Sequence, residues 1–142
     1  MTFVRPRRKV TRVFVHCSAS DSKSHDNLAT IRRWHVKDRG WSDVGYHYVI
    51  TKNGKVHEGR PLRRTPAAQR DHNTGSIAIC CTGLKEFTIH QMRSLIDLCL
   101  EINEAYEGNI TFHGHREVAN KSCPVFGYRH VLALDSEGRM NA

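Results

Sequence analysis

Strand-like and helix-like hydrophobic patterns alternate along this 142-residue chain, and this order constrains its fold more than any other feature. The segment 9–19, KVTRVFVHCSA, alternates apolar and polar residues, which predicts a strand ending near His16. The short apolar segments 76–83 and 109–113 predict two further strands. Because strands and helices that alternate are typical of α/β domains, we predict a single domain with a mixed central β-sheet of about five strands, flanked by helices.

Two helical patterns lie between the predicted strands. Residues 27–40 place apolar side chains at helical spacing and end on a glycine, a common helix stop. Thr88 and Gln91 form a capping-box pattern ahead of an apolar stripe that continues toward Gly108. This second pattern predicts the longest helix of the chain, and a short terminal helix is predicted at 127–135.

The segment 45–60 predicts a β-hairpin. Two β-rich runs flank Asn53 and Gly54, a pair that favours a type I′ turn. Tyr46 and His47 stand next to each other in the first run, so a regular strand directs their side chains to opposite faces.

The composition is that of a globular, basic protein. Hydrophobic residues make up 39% and charged residues 25% of the chain, unlike a disordered sequence. The net charge of +8 favours an anionic partner, such as nucleic acid, a membrane surface or a cell-wall polymer. The densest basic run, RPRRK at 5–9, predicts a solvated basic arm over residues 1–10. No RNA-binding aromatic motif or zinc-finger spacing accompanies it, so nucleic acid is not the expected partner.

Cysteine use and apolar runs indicate the cellular setting. No apolar run reaches the length of a membrane span, so stable membrane insertion is not expected. The basic N-terminal stretch lacks the apolar core and cleavage site of a secretory signal. An odd count of five cysteines then argues against a disulfide framework. Cys80, Cys81 and Cys99 lie in apolar runs, where buried free thiols are expected.

The segment 112–126, FHGHREVANKSCPVF, concentrates side chains that can bind a metal. His115 follows the last predicted strand and His16 ends the first, so both histidines could lie at one edge of the sheet. Cys123 comes eight residues after His115, which is enough chain to fold back. Two imidazoles and a thiolate form a three-ligand zinc set with a fourth position open for water. Each residue alone is more often structural, so spacing by itself leaves the site open.

Three ordered blocks carry a family resemblance: VFVHCSAS at 13–20, WSDVGYHYVITKNGKVHEGR at 41–60 and GHREVANKSCPVF at 114–126. In these blocks the chain resembles the bacteriophage N-acetylmuramoyl-L-alanine amidases, small zinc-dependent phage lysozymes related to peptidoglycan recognition proteins. The resemblance implies an amidase fold like that of the recognition proteins, with a catalytic domain over 11–135 and a C-terminal tail at 136–142.

The resemblance also implies roles for individual residues. The family's ligands for one catalytic Zn²⁺ fall on His16, His115 and Cys123. Its catalytic tyrosine and lysine fall on Tyr46 and Lys121, which implies an active enzyme. The implied activity is hydrolysis of the amide bond between N-acetylmuramic acid and L-alanine in bacterial peptidoglycan, as a phage endolysin. The alternatives are an inactive peptidoglycan-binding module of the same fold and a basic regulatory binding protein.

One loop departs from the family pattern. Members often carry a histidine before the fourth strand, where this chain has Ala68, and Gly75 replaces an asparagine. The resemblance places this loop at the substrate cleft, so the contacts there stay open, and Gln69 or His72 could compensate.

Four other residues have both a functional and a structural interpretation. His47 could lie behind a metal ligand if the strand bulges, and otherwise faces away from the site. Glu117 could orient a ligand imidazole, although an exposed carboxylate or a structural ion pair is the more common role. Trp34 and Trp41 are expected to pack against the core rather than to stack on sugars.

The implied setting is lysis of a bacterial host. The expected partner is peptidoglycan, the expected state is a monomer, and nothing in the sequence indicates a regulatory protein. Without a signal peptide, the enzyme is expected to accumulate in the host cytoplasm and to reach the periplasmic cell wall through a separate pore.

Overall fold

The computed structural model describes residues 3–141 and has a five-stranded sheet at its centre. The strands are β1 (Arg12–Cys17), β2 (Tyr48–Ile50), β3 (Val56–Glu58), β4 (Ser76–Cys81) and β5 (Thr111–Gly114). Their order is β3-β2-β4-β1-β5. Strand β1 runs parallel to β4 and β5, β2 runs parallel to β4, and β3 is antiparallel to β2. This mixed sheet confirms the predicted α/β class.

Three α-helices and three short turns of other helix types complete the described part of the fold. They are α1 (Leu28–Arg33), α2 (Ile89–Ala105), α3 (Tyr128–Val131), a π-helical turn (Trp34–Asp38) and 3₁₀ turns (Lys23–His25, His115–Glu117). Thr88 and Gln91 exchange side-chain and backbone hydrogen bonds, so the predicted capping box does begin the longest described helix, α2. The terminal helix α3 is shorter than predicted. None of the helices within residues 3–141 combines the length and apolarity needed to cross a membrane.

Buried apolar side chains form two cores on opposite faces of the sheet. Val13 and Val15 lie in the larger core together with side chains of α2. The smaller core, on the α1 side, consists of Ile31, Val44, Val49 and Cys80. His16 is out of phase with the two valines, so its side chain lies on the α1 side. Cys80, Cys81 and Cys99 are buried free thiols, as predicted.

The hairpin forms where it was predicted, but its turn is different. A type I′ turn needs positive φ at both central residues, and of the pair only Gly54 has positive φ, at 84°. The amide of Gly54 donates to the carbonyl of Thr51 at 2.8 Å, and the amide of Thr51 donates to that of Lys55 at 3.1 Å. The loop therefore has three residues, with Gly54 in the left-handed position of a bulge.

The first and last described residues pack against the rest of the domain, and the arm predicted at residues 1–10 is anchored at Phe3 and Val10. Phe3 and Val10 are buried, and the amide of Phe3 donates to Glu101 Oε1 at 2.9 Å. At the other end, the carbonyl of Gly138 accepts from the amide of Phe112 at 2.8 Å. The basic run predicted a solvated arm because composition alone does not reveal an apolar anchor beside the charges. Met1 and Thr2 of that arm lie outside the described residues.

Candidate metal centre and cleft

Parallel pairing of β1 with β5 brings the two predicted histidine ligands together. Val15 is the register partner of Gly114, so the next residues, His16 and His115, leave the same edge of the sheet. Their rings lie 4.5 Å apart between centroids. The chain then folds back, and Cys123 places its sulfur so that potential ligand atoms of all three residues lie within 4.8 Å of one another.

The backbone around Cys123 fixes the position of its sulfur. The amide of Cys17 donates to Cys123 Sγ at 3.1 Å, and the amide of Arg116 donates to the carbonyl of Cys123 at 2.8 Å. The loop from His115 to Cys123 is thus held in place by one hydrogen bond to the Cys123 sulfur and one to the Cys123 carbonyl. An amide donor at sulfur also favours the thiolate, the form that binds metals.

The electrostatics of the cluster suit a cation. Burial, followed by the charges of His115 and Lys121, lowers the pKa of His16 to about 3. Burial and the charge of Lys121 also lower the pKa of His115. A hydrogen bond with the Cys17 thiol, followed by burial, raises the pKa of the Cys123 thiol despite the opposing effect of the Cys17 amide, and a coordinated cation would displace that proton. Two neutral imidazoles and one sulfur form a donor set that fits Zn²⁺.

Tyr46 and Lys121 lie beside this cluster. The ring of Tyr46 is 5.1 Å from that of His16 between centroids. Burial, with neighbouring cysteines, raises the pKa of Tyr46 well above its usual value, so the phenol keeps its proton and remains a donor. Lys121 is exposed and lines the same cleft as His115. A hydroxyl donor and an ammonium group therefore lie near the three ligand residues.

A cleft of about 630 Å³ opens at His115. Other residues along it include Arg39, Trp41, Ala68, Arg70, Asp71 and Lys121. Trp41 was expected to serve in packing, but its half-buried ring lines the cleft, with the Arg39 guanidinium 5.1 Å from its centre. Sequence patterns gave no cleft role to Trp41 and Arg70, which lie in loops without periodicity, or to Arg39, which lies at the end of a predicted helix. Trp34, in contrast, packs against the smaller core as expected.

Gln69 lies directly behind His16. Its Oε1 atom is 2.8 Å from His16 Nε2, and both side chains are buried. His16 Nδ1 faces Cys123, 3.9 Å from its sulfur. The loop that departs from the family pattern therefore reaches the metal centre through Gln69.

His47 does not lie next to the metal ligands. Its Nδ1 accepts from the amide of Ala78 at 3.1 Å, and its Nε2 donates to the carbonyl of Arg64 at 2.8 Å. Both ring nitrogens are thus occupied by backbone groups. The His47 ring therefore contacts backbone groups of Ala78 and Arg64, not a metal ligand.

Glu117 and His72 also have structural contacts instead of contacts to the ligand imidazoles. Glu117 Oε1 pairs with His113 Nδ1 at 2.8 Å, and its Oε2 accepts from the amide of Gly114 at 2.9 Å. His72 Nδ1 is 3.5 Å from an Arg12 guanidinium nitrogen, and the His72 ring does not line the cleft. Glu117 therefore stabilises the start of the ligand loop without touching its histidine ligand.

Comparisons with known proteins agree with this arrangement. A family model described as N-acetylmuramoyl-L-alanine amidase matches residues 6–126. The endolysins of Enterobacteria phage T3 and Escherichia phage T7 are each 36% identical over 130 residues, spanning 86% of this chain and 85% of each relative. The solved structure of N-acetylmuramoyl-L-alanine amidase LysC from Clostridium intestinale URNW has a TM-score of 0.78 at 28% identity, covering 89% of this chain and 85% of that one.

The fold and the histidine–histidine–cysteine cluster define an α/β domain with a candidate metal centre at the end of its parallel strands. The chain belongs to the N-acetylmuramoyl-L-alanine amidase family. The family resemblance, the enzyme class and the expected function as an amidase of the endolysin type are confirmed.

Proposed function

We propose that this amidase uses one Zn²⁺, held by His16, His115 and Cys123, to hydrolyse the bond between N-acetylmuramic acid and L-alanine in bacterial peptidoglycan. The observation that carries the proposal is the approach of three ligand atoms to within 4.8 Å of one another at the edge of an open cleft. The endolysin relatives support a role in host lysis.

The metal and the two polar residues beside the cluster, Tyr46 and Lys121, have separate tasks in this reaction. Zinc, when bound, would polarise the scissile carbonyl and lower the pKa of the attacking water. Tyr46 keeps its proton and can donate a hydrogen bond to the oxygen on which negative charge develops. The ammonium of Lys121, on the cleft side of His115, adds positive charge where that oxyanion forms.

The cleft has the chemistry to hold a glycopeptide. Trp41 offers an aromatic face, while Arg39 and Arg70 offer cations to the carboxylates of the stem peptide. The net charge of +8 also favours association with an anionic wall. The proposed setting is a monomeric enzyme made in the host cytoplasm that acts on the wall after passing through a separate pore.

The test is turnover of purified peptidoglycan by zinc-loaded protein. We expect new L-alanine amino termini without new reducing sugar ends, abolished by chelation and restored by added zinc. Cys123→Ser should lose both zinc binding and turnover. Cys99→Ala, in a buried thiol of α2, is the matched control and should retain both. Turnover by Cys123→Ser at the wild-type rate would contradict the proposal.

A further inference from the structure

We infer that Gln69 is a positioning residue that holds His16 in the tautomer whose Nδ1 can bind the metal. The inference rests on the zinc site proposed above and adds a residue from outside the ligand set. It starts from one contact, in which Gln69 Oε1 lies 2.8 Å from His16 Nε2. His16 is 1% exposed and Gln69 is 0% exposed, so water does not compete for this hydrogen bond.

The surroundings of Gln69 fix which end of its amide faces His16. The Gln69 Nε2 atom lies 2.6 Å from Ser76 Oγ and 3.3 Å from the carbonyl oxygen of His72. The Ser76 hydroxyl uses its proton in a 2.8 Å hydrogen bond to the carbonyl of Asn73, so toward Gln69 it can only accept. Both neighbours of Gln69 Nε2 are therefore acceptors, which leaves the amide oxygen to face His16.

An oxygen at this position determines where the neutral imidazole of His16 carries its proton. Gln69 Oε1 can only accept, so His16 Nε2 must donate, and Nδ1 keeps its lone pair. This Nδ1 atom is the one that faces Cys123, 3.9 Å from Sγ. In the opposite tautomer, a proton on Nδ1 would block the ligand atom and two acceptors would face each other in the buried space behind the ring. Gln69 thus prepares His16 for the metal before the metal binds.

The loop that carries Gln69 is held rigidly enough for this task. Asn73 Oδ1 accepts from the amides of Ala68 and Gln69, at 3.0 and 2.9 Å. The amide of His72 donates back to the carbonyl of Gln69 at 2.9 Å. Ala68 lines the cleft and its neighbour Gln69 supports His16, so one short loop joins the substrate side to the metal side.

The experiment compares three variants with the wild-type protein. Gln69→Leu removes the acceptor at similar volume, Gln69→Glu retains an acceptor, and His72→Ala changes the same loop without touching His16. Two quantities are measured: the tautomer of His16 by ¹⁵N NMR of the metal-free protein, and the zinc dissociation constant by competition with a chromophoric chelator. Circular dichroism and thermal unfolding of the metal-free variants establish that each is folded.

We expect the wild-type His16 to carry its proton on Nε2. Gln69→Leu should populate the Nδ1–H form and bind zinc about 10- to 100-fold more weakly, the range typical for loss of a partner behind a metal ligand. Gln69→Glu and His72→Ala should keep the wild-type tautomer, and His72→Ala should keep the wild-type zinc affinity.

Two results would overturn the inference. One is a wild-type His16 protonated on Nδ1, which can be read without zinc even if Gln69→Leu does not fold. The other is a folded Gln69→Leu protein with undiminished zinc affinity. A wild-type protein that shows Nε2–H at His16 but no affinity for zinc would instead overturn the proposed zinc function, and the inference would fall with it.

Discussion

His47 stabilises the fold through a neutral ring. Burial, helped by the charges of Arg8 and Arg60, lowers its pKa to about 4, although the hydrogen bond to the Arg64 carbonyl acts in the opposite direction. Its ordinary value is 6.5, so between these two values the unfolded chain binds more protons than the folded one. Stability is therefore fully present above pH 6.5 and decreases as the pH falls toward 4, by up to about 3 kcal/mol from this residue.

Urea unfolding of the metal-free protein between pH 7 and pH 4.5 tests this prediction. His47→Gln lacks the titrating group, so its free energy of unfolding should fall less over this range than that of the wild type. The exposed His90 supplies the matched control, since His90→Gln should follow the wild-type pH dependence. If His47→Gln and wild type lost stability in parallel, another group would be responsible.

Tyr46 lies beside the candidate metal centre but is not one of its proposed ligands. Its ring is 5.1 Å from that of His16 between centroids. If its hydroxyl stabilises the developing oxyanion, Tyr46→Phe should reduce kcat by about 100-fold. Zinc affinity should stay unchanged, because the ligands are untouched.

The neighbouring Tyr48 provides the control for that experiment. It is buried in the larger core on the other face of the sheet, so Tyr48→Phe should keep the wild-type kcat. Rates and zinc dissociation constants measured on the same preparations separate the two effects. Equal kcat for Tyr46→Phe and wild type would remove Tyr46 from the reaction.

At the scale of elements, the junction of β5 with the ligand loop depends on one glycine. A Cβ at Gly114 would lie 2.3 Å from a ring carbon of Tyr128 in α3, closer than real contacts allow. Gly114→Ala must therefore displace either α3 or the end of β5, which carries His115. We expect a loss of about 1 to 3 kcal/mol in the free energy of unfolding, together with weaker zinc binding.

Gly127, the residue before Tyr128, offers the matched substitution. A Cβ at Gly127 meets no atom within 4 Å, and its φ of −76° is available to alanine. Gly127→Ala should therefore change zinc affinity and stability much less than Gly114→Ala. Denaturant unfolding and chelator competition give both quantities, and equal effects of the two substitutions would contradict the assigned clash.

Helices and turns could be predicted where the residues that determine them are neighbours in the sequence. Thr88 and Gln91 form the capping box at the start of α2 that the sequence indicated, because all of its atoms come from four consecutive residues. The turn at Asn53 and Gly54 was placed correctly but given the wrong type, since its conformation depends on the pairing of the flanking strands. The metal cluster was reached through the family blocks, whereas its closeness in space comes from the parallel pairing of β1 with β5.

Gln69 and Trp41 show what could not be predicted from the sequence. Both lie in irregular segments, where no period tells which side chain faces inward. Gln69 was one of several polar candidates in its loop, and only the direction of its amide singles it out. Such positions depend on contacts between distant parts of the chain, which local patterns do not encode.

At the scale of the whole molecule, the first described residues complete the core. Phe3 lies 6.1 Å from the ring of Tyr106 between centroids, and its amide bonds to Glu101, 98 positions away in the sequence. Arg5 also contacts Tyr106, with its guanidinium 4.5 Å from the ring centre. The basic run is therefore fastened to α2 and its C-terminal end by an apolar residue.

Because Phe3 is only 8% exposed, Phe3→Ala should lower the free energy of unfolding by about 3 kcal/mol, the lower end of the range for buried phenylalanines. Val4 is 70% exposed, so Val4→Ala should leave stability within about 0.5 kcal/mol of the wild type. Urea unfolding of the metal-free proteins is the measurement, since bound zinc would add its own stabilisation. Equal stability of the two variants would support a solvated arm. The expected difference would instead show that the N-terminal segment unfolds together with the rest of the domain. A truncation that removes the basic residues would then also remove the Phe3 anchor.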